Sequence, residues 1–524
     1  MTRKQRPVAE RLERSRNLSL EALSSKTKLG NHSPDEALPA QEKGASSVDV
    51  RSYTRPFLSF ITENPTVFHA VAHFAKKLEF YGFTRLSERA SWTAQLQKGG
   101  KYFVERNGSS LIAFTVGLDY KAGNGASMIA CHVDALAARL KPVSSLSAKA
   151  GYTQLAVAPY AGGLNTTWFD RDLGIGGRVL VKDRKTGKIE TRLVKLGWPV
   201  ARIPTLAPHF GAAASLSNIN QETQMVPIIG LENAETDNEK KVGSKSAAPN
   251  TFAATQPPRL VKVIAEELGI EDYSLIVNWE LELFDIQPAQ LGGLDKEFIF
   301  AGRVDDKLCS FSAIEALIAS NSPASIFDGK SPSENSGIIK VVGLFDDEEI
   351  GSLLRQGAHS NFLPGTISRI CEVFCGDKHH ANSLSQTFAN SFLISADVSH
   401  AVNPNFLGAY LENHSPRLNV GIAIQADPNG HTTTDSISTA FLQRVADKCD
   451  STLQVFQIRN DSRSGGTVGP MLSSAMGVRA IDAGLPQLSM HSIRATIGSS
   501  DPGLGVKLFK GFFDHYEEVD AEFA

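Results

Sequence analysis

Five short apolar runs in this chain each lead into a histidine or a carboxylate, and this repeated pattern restricts the fold more than any single motif. The run 127–131 is followed by His132 and Asp134, and the run 298–301 by Asp305. The run 338–345 leads into Asp346-Asp-Glu-Glu349, the run 392–394 precedes Asp397, and the run 485–490 precedes His491. An open α/β sheet gathers such groups, because its ligand crevice lies beyond the carboxyl ends of its strands. Two histidines with several carboxylates make a mixed nitrogen and oxygen donor set suited to zinc, and the surplus of acids suits two ions. The pattern predicts a two-metal hydrolase.

At 524 residues the chain exceeds one hydrophobic core, so two domains with tails are expected. The net charge of −3 gives no reason to expect nucleic acid or an anionic membrane as partner. No uninterrupted apolar stretch is long enough to span a bilayer, and the N-terminus lacks the apolar core of a secretory signal. Five scattered cysteines argue for folding in a reducing compartment and against a disulfide framework.

Residues 1–46 differ from the rest. Positions 1–28 hold eight Lys/Arg against three Glu, with an apolar stripe of Val8, Leu12, Leu18, Leu20 and Leu23. Such a segment reads as a disordered tail, or as a removable or partner-binding helix. Helical spacing runs from Tyr53 to Leu86, carried by apolar positions from Phe57 to Leu78, with Pro65 as a helix start. Between Leu140 and about Phe298, Val/Leu segments such as Arg178-Val-Leu-Val181 mixed with Gly and Pro predict a β-rich insertion. Within it, residues 232–257 are polar and predict an exposed loop. Beyond it, helices over 308–319 and 436–449 alternate with strands over 338–345 and 391–396, as an α/β domain requires.

Taken singly, the candidate residues are ambiguous. Four consecutive acids are an ordinary solvated loop unless a buried strand leads into them, as here. Two adjacent glutamates on a tight turn point different ways, so one can bind a metal while the other faces its water. In His132-Val-Asp134 the carboxylate can fix the imidazole tautomer, as the partners of metal-bound histidines do. Asp305 lies before a helix, where N-capping is an equally good account.

Specific segments then add a resemblance. Ala156-Val-Ala-Pro-Tyr160, Trp168-Phe-Asp-Arg-Asp172, Phe345-Asp-Asp-Glu-Glu-Ile-Gly-Ser352, Gly465-Gly-Thr-Val-Gly-Pro470 and Met490-His-Ser-Ile-Arg494 resemble the M18 family of metallo-aminopeptidases, from about Tyr53 to the C-terminus. The resemblance implies an α/β zinc-peptidase sandwich of mixed sheet and helices. Residues 47–139 and 297–524 would form the catalytic domain, interrupted at 140–296 by a β-rich dimerisation domain. It implies two zinc ions per subunit, one on His132 and Asp397, the other on Glu349 and His491, with Asp305 bridging. Glu348 would be the general base, and Asp134 would orient His132. It also implies a homo-dodecamer built from dimers, acting on peptides.

The substrate-selecting region departs from the aspartyl-specific branch of that family. Gln425 stands where that branch has lysine and His431 where it has arginine, and Thr166 replaces a histidine. Without the lysine nothing obvious neutralises an acidic side chain. These departures resemble the fungal vacuolar aminopeptidase I branch. They imply preference for neutral or hydrophobic N-terminal residues such as Leu, and a vacuolar location. Residues 1–46 would be a propeptide bound by a selective-autophagy receptor. The alternative is an aspartyl aminopeptidase releasing Asp or Glu in the cytoplasm.

Overall fold

Four consecutive neighbours in the main sheet lie almost wholly out of solvent, which explains their near-continuous apolar sequence. In the computed structural model, which describes residues 48–232, 250–322, 336–376, 381–463 and 465–523, this sheet has nine strands. Their spatial order is Thr84–Leu86, Lys101–Arg106, Ser110–Val116, Ile339–Phe345, Ala126–His132, Phe392–Ser395, Arg479–Gly484, Ala423–Gln425 and Gln454–Phe456. The strands from Ser110–Val116 through Phe392–Ser395 are buried at every position. Ala126–His132 runs parallel to both of its neighbours, Ile339–Phe345 and Phe392–Ser395. Parallel strands of this kind need cover on both faces.

The alternation of side chains supplies the two covered faces. Ile129, Cys131, Val342 and Leu344 point into one core, shared with the helices Thr54–Glu63, Val304–Ser320, Ser436–Lys448 and Asp501–Asp520. Met128, Ala130, Ile339 and Val341 point into the other, against Phe362–Cys375 and Val468–Met476. The result is the mixed sheet and helix sandwich expected from the sequence.

A second sheet of six strands occupies the predicted β-rich stretch, in the order Ile189–Lys195, Leu173–Lys182, Ile276–Asp285, Ala137–Ser145, Tyr152–Tyr160 and Ile228–Leu231. It has its own core, with Trp168, Ile175, Ile264 and Leu283 buried. The first strand of this sheet begins only a few residues after His132, so the insertion stays tethered to the metal-ligand region.

Three details differ from the sequence reading. The predicted first helix is two, Thr54–Glu63 and Val67–Phe80, and Pro65 does not start the second one. Thr66 does, its hydroxyl accepting a hydrogen bond from the His69 N–H as an N-cap. The N-cap alternative for Asp305 also gives way: its backbone is extended (φ −76°, ψ 116°) at the start of Val304–Ser320, and its Oδ1 faces His132. Of the polar loop 232–257, residues 233–249 lie outside the described residues, as do 1–46. Its end is not exposed: a short 3-10 turn, Phe252–Thr255, buries Ala253, and Gln256 beyond it is buried and bonded to Ser144. Among the described residues no helix is long and apolar enough to cross a membrane.

Candidate metal centre

Strand register brings the first three segments together. Phe345 pairs with His132, and the Val133 N–H donates to the Phe345 carbonyl at 2.8 Å. On the other side, the Ala396 N–H donates to the Ala130 carbonyl at 2.8 Å, which carries Asp397 to the same sheet end. His132, the Asp346–Glu349 turn and Asp397 thus emerge from three adjacent parallel strands.

The other two residues arrive by different routes, which corrects the expectation of a single sheet end. Asp305 follows Phe298–Ala301, part of a separate three-stranded sheet. His491 follows Pro486–Gln487, half of a two-stranded sheet, and sits at φ 62°. Left-handed backbone is costly for a residue with a Cβ, and such outliers cluster at functional sites. Asp347, just before Glu348, adopts the same conformation at φ 65°.

The side chains converge on Asp305. Its Oδ1 lies 3.1 Å from His132 Nε2, and its Oδ2 lies 3.7 Å from His491 Nε2. Asp397 Oδ1 is 3.6 Å from His132 Nε2, and Glu349 Oε2 is 3.7 Å from His491 Nε2. Two sets of donor atoms result, His132 with Asp305 and Asp397, and Asp305 with Glu349 and His491. Within each set the ligand atoms lie within 4.8 Å of one another. Glu348 belongs to neither set, although its Oε2 is 3.9 Å from His132 Nε2.

Asp134 sits behind His132, with Oδ1 3.3 Å from Nδ1. It is buried, and it accepts hydrogen bonds from the Tyr160 hydroxyl at 2.7 Å and from the backbone N–H groups of Glu348 and Glu349 at 3.3 and 3.2 Å. One carboxylate thereby lies against both the imidazole and the two-glutamate turn.

The electrostatics reflect crowded acids. Burial pushes the Glu348 carboxyl up to about 8, opposed by His132 and reinforced by Asp397, Asp134 and Asp305. Burial and Asp305 likewise hold Glu349 well above the usual carboxylate range. For His132, burial acts to lower the pKa, but Asp134, Asp305 and Asp397 outweigh it and raise it well above its ordinary value. Glu349 Oε1 is buried without a hydrogen-bond partner. So many buried acids around two imidazoles fit divalent cations, and the mixed oxygen and nitrogen donors fit zinc.

Comparison with known proteins decides the family. The family model for aminopeptidase I zinc metalloprotease (M18) matches residues 60–513. The chain belongs to the M18 family. It is therefore a zinc metallo-aminopeptidase. Vacuolar aminopeptidase 1 of Saccharomyces cerevisiae is 41% identical over 522 residues, 99% of each chain. An aspartyl aminopeptidase of Aspergillus oryzae is 42% identical over 486 residues, 88% of this chain and 96% of that one. Among solved structures, Chaetomium thermophilum mApe1 is 55% identical with a TM-score of 0.82, covering 91% of this chain and all of that one. The S. cerevisiae mApe1 dodecamer is 42% identical, TM-score 0.78, covering 90% and 99%. The complex of Ape4 and Nbr1 gives 39% identity and TM-score 0.84, covering 93% and 90%.

Two predicted residues stand apart from the ligand sets. Gln425 donates from Nε2 to the Asp397 carbonyl at 2.9 Å, so it borders the centre. His431 is exposed, in a separate hollow with Asn429, Gln457 and Arg459. The cleft beside Asp305, Glu349 and His491 is lined instead by Trp168, Leu283, Phe284, Ile493 and the acids Glu282 and Asp285. Trp168 and Ile493 fall within segments that carry the family resemblance, as does Tyr160, but nothing in the sequence assigns a role at the centre to them, or to Leu283, Phe284, Glu282 and Asp285.

Proposed function

We propose that this peptidase holds two zinc ions, one on His132 and Asp397 and one on Glu349 and His491, with Asp305 shared. The observation that carries the reading is the single Asp305 carboxylate whose two oxygens face two different histidines, at 3.1 and 3.7 Å. Bound zinc supplies a Lewis acid that polarises the scissile carbonyl and makes water acidic. The remaining roles fall to the chain itself. With divalent cations beside it the Glu348 carboxyl would be ionised, and it then takes a proton from the attacking water onto a carboxylate oxygen and delivers it to the departing amine. Asp134 holds the His132 ring and the backbone of Glu348 in place. The carboxylates around the centre would also attract the substrate's free α-ammonium group, which would restrict cleavage to the first residue.

The preferred first residue is neutral or hydrophobic, such as Leu. Gln425 at the aspartyl branch's lysine position supports this. Arg303 lines the cleft beside Asp305, but its guanidinium donates to the carbonyls of Asp285 and Ile61. The similarity to vacuolar aminopeptidase 1 over 99% of this chain takes in most of residues 1–46, which supports a propeptide role and vacuolar delivery. The solved S. cerevisiae mApe1 dodecamer supports a homo-dodecamer, in which the six-stranded insertion would be the dimerisation domain, and the Ape4–Nbr1 complex supports a further protein partner, which for this chain would be a selective-autophagy receptor.

Zinc analysis together with hydrolysis of Leu-, Asp- and Lys-anilides tests the reading. Two zinc ions per chain and fastest release of Leu are expected. Fastest release of Asp would establish the aspartyl alternative, which the 42% identity to the A. oryzae enzyme also supports.

A further inference from the structure

The sharp turn that leaves the six-stranded sheet touches both halves of the metal centre. At its start, the Tyr160 hydroxyl donates to Asp134 Oδ2 at 2.7 Å and reaches Asp347 Oδ1 at 3.4 Å. At its end, Asn165 Nδ2 donates to the His491 carbonyl at 2.8 Å, and the Ile493 N–H donates to Thr167 Oγ1 at 3.0 Å. Five residues apart in sequence, Tyr160 and Asn165 therefore reach the His132 side and the His491 side respectively.

The turn is built to hold that span. Ala161 and Leu164 both take left-handed backbone, at φ 53° and 56°, and Leu164 is buried. A Cβ at Gly163 would lie 2.1 Å from the Ala137 carbonyl oxygen, so only glycine allows this approach to the neighbouring strand. Asn165 ties the turn to itself, donating to the Gly162 carbonyl at 3.1 Å and accepting from the Thr167 N–H at 3.0 Å. The Arg139 guanidinium stacks on the Tyr160 ring, 3.6 Å from its centroid. His491 itself is more than half exposed, while Arg494 in the same loop bonds Asp285 and the carbonyls of Gln287, Pro288 and Phe300.

We infer that Tyr160 and Asn165 are positioning residues, each setting the affinity of one ion: Tyr160 through Asp134 for the ion on His132, Asn165 through the His491 backbone for the ion on His491. The inference rests on the two-ion reading above. It makes the insertion part of the metal centre's support, in addition to any role in assembly. Partners that orient metal-binding groups in this way alter metal affinity by about 10- to 100-fold when removed.

Two near-isosteric variants isolate the contacts. Tyr160→Phe removes only the hydroxyl and keeps the ring beneath Arg139. Asn165→Asp keeps the oxygen that caps Thr167 but loses the amide donor shared by the His491 and Gly162 carbonyls, so its zinc-free melting temperature separates loss of the turn's own bond from loss of the bond to His491. Zinc affinities are measured by titrating the full-length protein against a chromophoric chelator, with the melting temperature of the zinc-free protein recorded for each variant. Two binding steps are expected in the wild type. Each variant should weaken a different step by about 10- to 100-fold and leave the other step and the zinc-free melting temperature unchanged. Wild-type affinities at both steps in both variants would overturn the inference. So would equal weakening of both steps accompanied by a lower zinc-free melting temperature, which would make the turn merely structural. A wild type that binds a single zinc ion overturns the two-ion reading separately.

Discussion

Replacing Glu348 with glutamine separates proton transfer from metal binding. Glu348 lies outside both ligand sets, and its nearest histidine contact is 3.9 Å. Its backbone N–H is held by Asp134 at 3.3 Å, a bond the amide variant keeps. The turn and both ligand sets should therefore survive in Glu348→Gln, while the carboxylate that accepts the water's proton is gone. A positioned general base contributes about 10²- to 10⁴-fold, or about 3 to 5 kcal/mol of barrier. The kcat for Leu-anilide should fall by that factor, with KM changed little and the zinc content of dialysed protein equal to wild type. Glu349→Gln serves as the contrast, because Glu349 Oε2 lies 3.7 Å from His491 Nε2. It should lose zinc. If Glu348→Gln loses an ion while Glu349→Gln retains both, the two glutamates have been assigned the wrong way round. Activity within tenfold of wild type in Glu348→Gln would refute its role as base.

Gln425→Lys should shift the ratio of kcat/KM for Asp over Leu substrates toward Asp by about 1 to 3 kcal/mol, the scale of a hydrogen bond to a charged group, and an unchanged ratio would remove position 425 from substrate selection. Acid should destabilise the fold through His69 and His73, whose pKa values are lowered to about 4, by burial first and then by neighbouring lysines. Their folded values lie below the ordinary 6.5, so the unfolded chain binds more protons as pH falls from about 6.5 to 4, and stability is lost across that window. His73 packs 5.1 Å from the Phe60 ring, so His73→Phe should reduce the drop in melting temperature between pH 7 and 5, and an identical drop in both proteins would refute this account. Deleting residues 1–46 should leave peptidase activity and melting temperature intact, since Val48 and Tyr53 are the first residues packed on the described core, but should abolish vacuolar delivery on microscopy of a C-terminally tagged protein.

The parts of the site legible in the sequence are those set by strand periodicity. A parallel strand buried on both faces is largely apolar, so an imidazole or carboxylate just at its end marks the sheet's carboxyl edge; His132, Asp346 and Asp397 stand out this way, although Ser127, Lys340 and Ser395 interrupt the apolar runs themselves. Asp305 and His491 follow short apolar runs too, but of two small separate sheets. Their convergence depends on chain crossings that no local pattern records. Tyr160 and Asn165 were less legible still. Tyr160 is one of many residues ending a strand, and Asn165 is one of many polar residues in a Gly-rich turn. What gives each its place is a contact with a segment distant in sequence: Asp134 lies 26 positions before Tyr160, and His491 lies 326 positions after Asn165.

That difference in legibility follows from how the two kinds of residue are constrained. A ligand must present a particular atom to a cation, which limits it to a few residue types and makes it visible by composition alone. A supporting residue needs only one donor at the right place, which Tyr, Ser, Thr, Asn, Gln or a backbone N–H can supply. Asp134 illustrates both cases, since it receives a tyrosine hydroxyl and two backbone N–H groups, and the backbone donors leave no trace in the sequence. The insertion's strained turn at residues 160–167 belongs to this second kind. It bonds Asp134 at one end and the His491 backbone at the other, two segments that no local pattern relates.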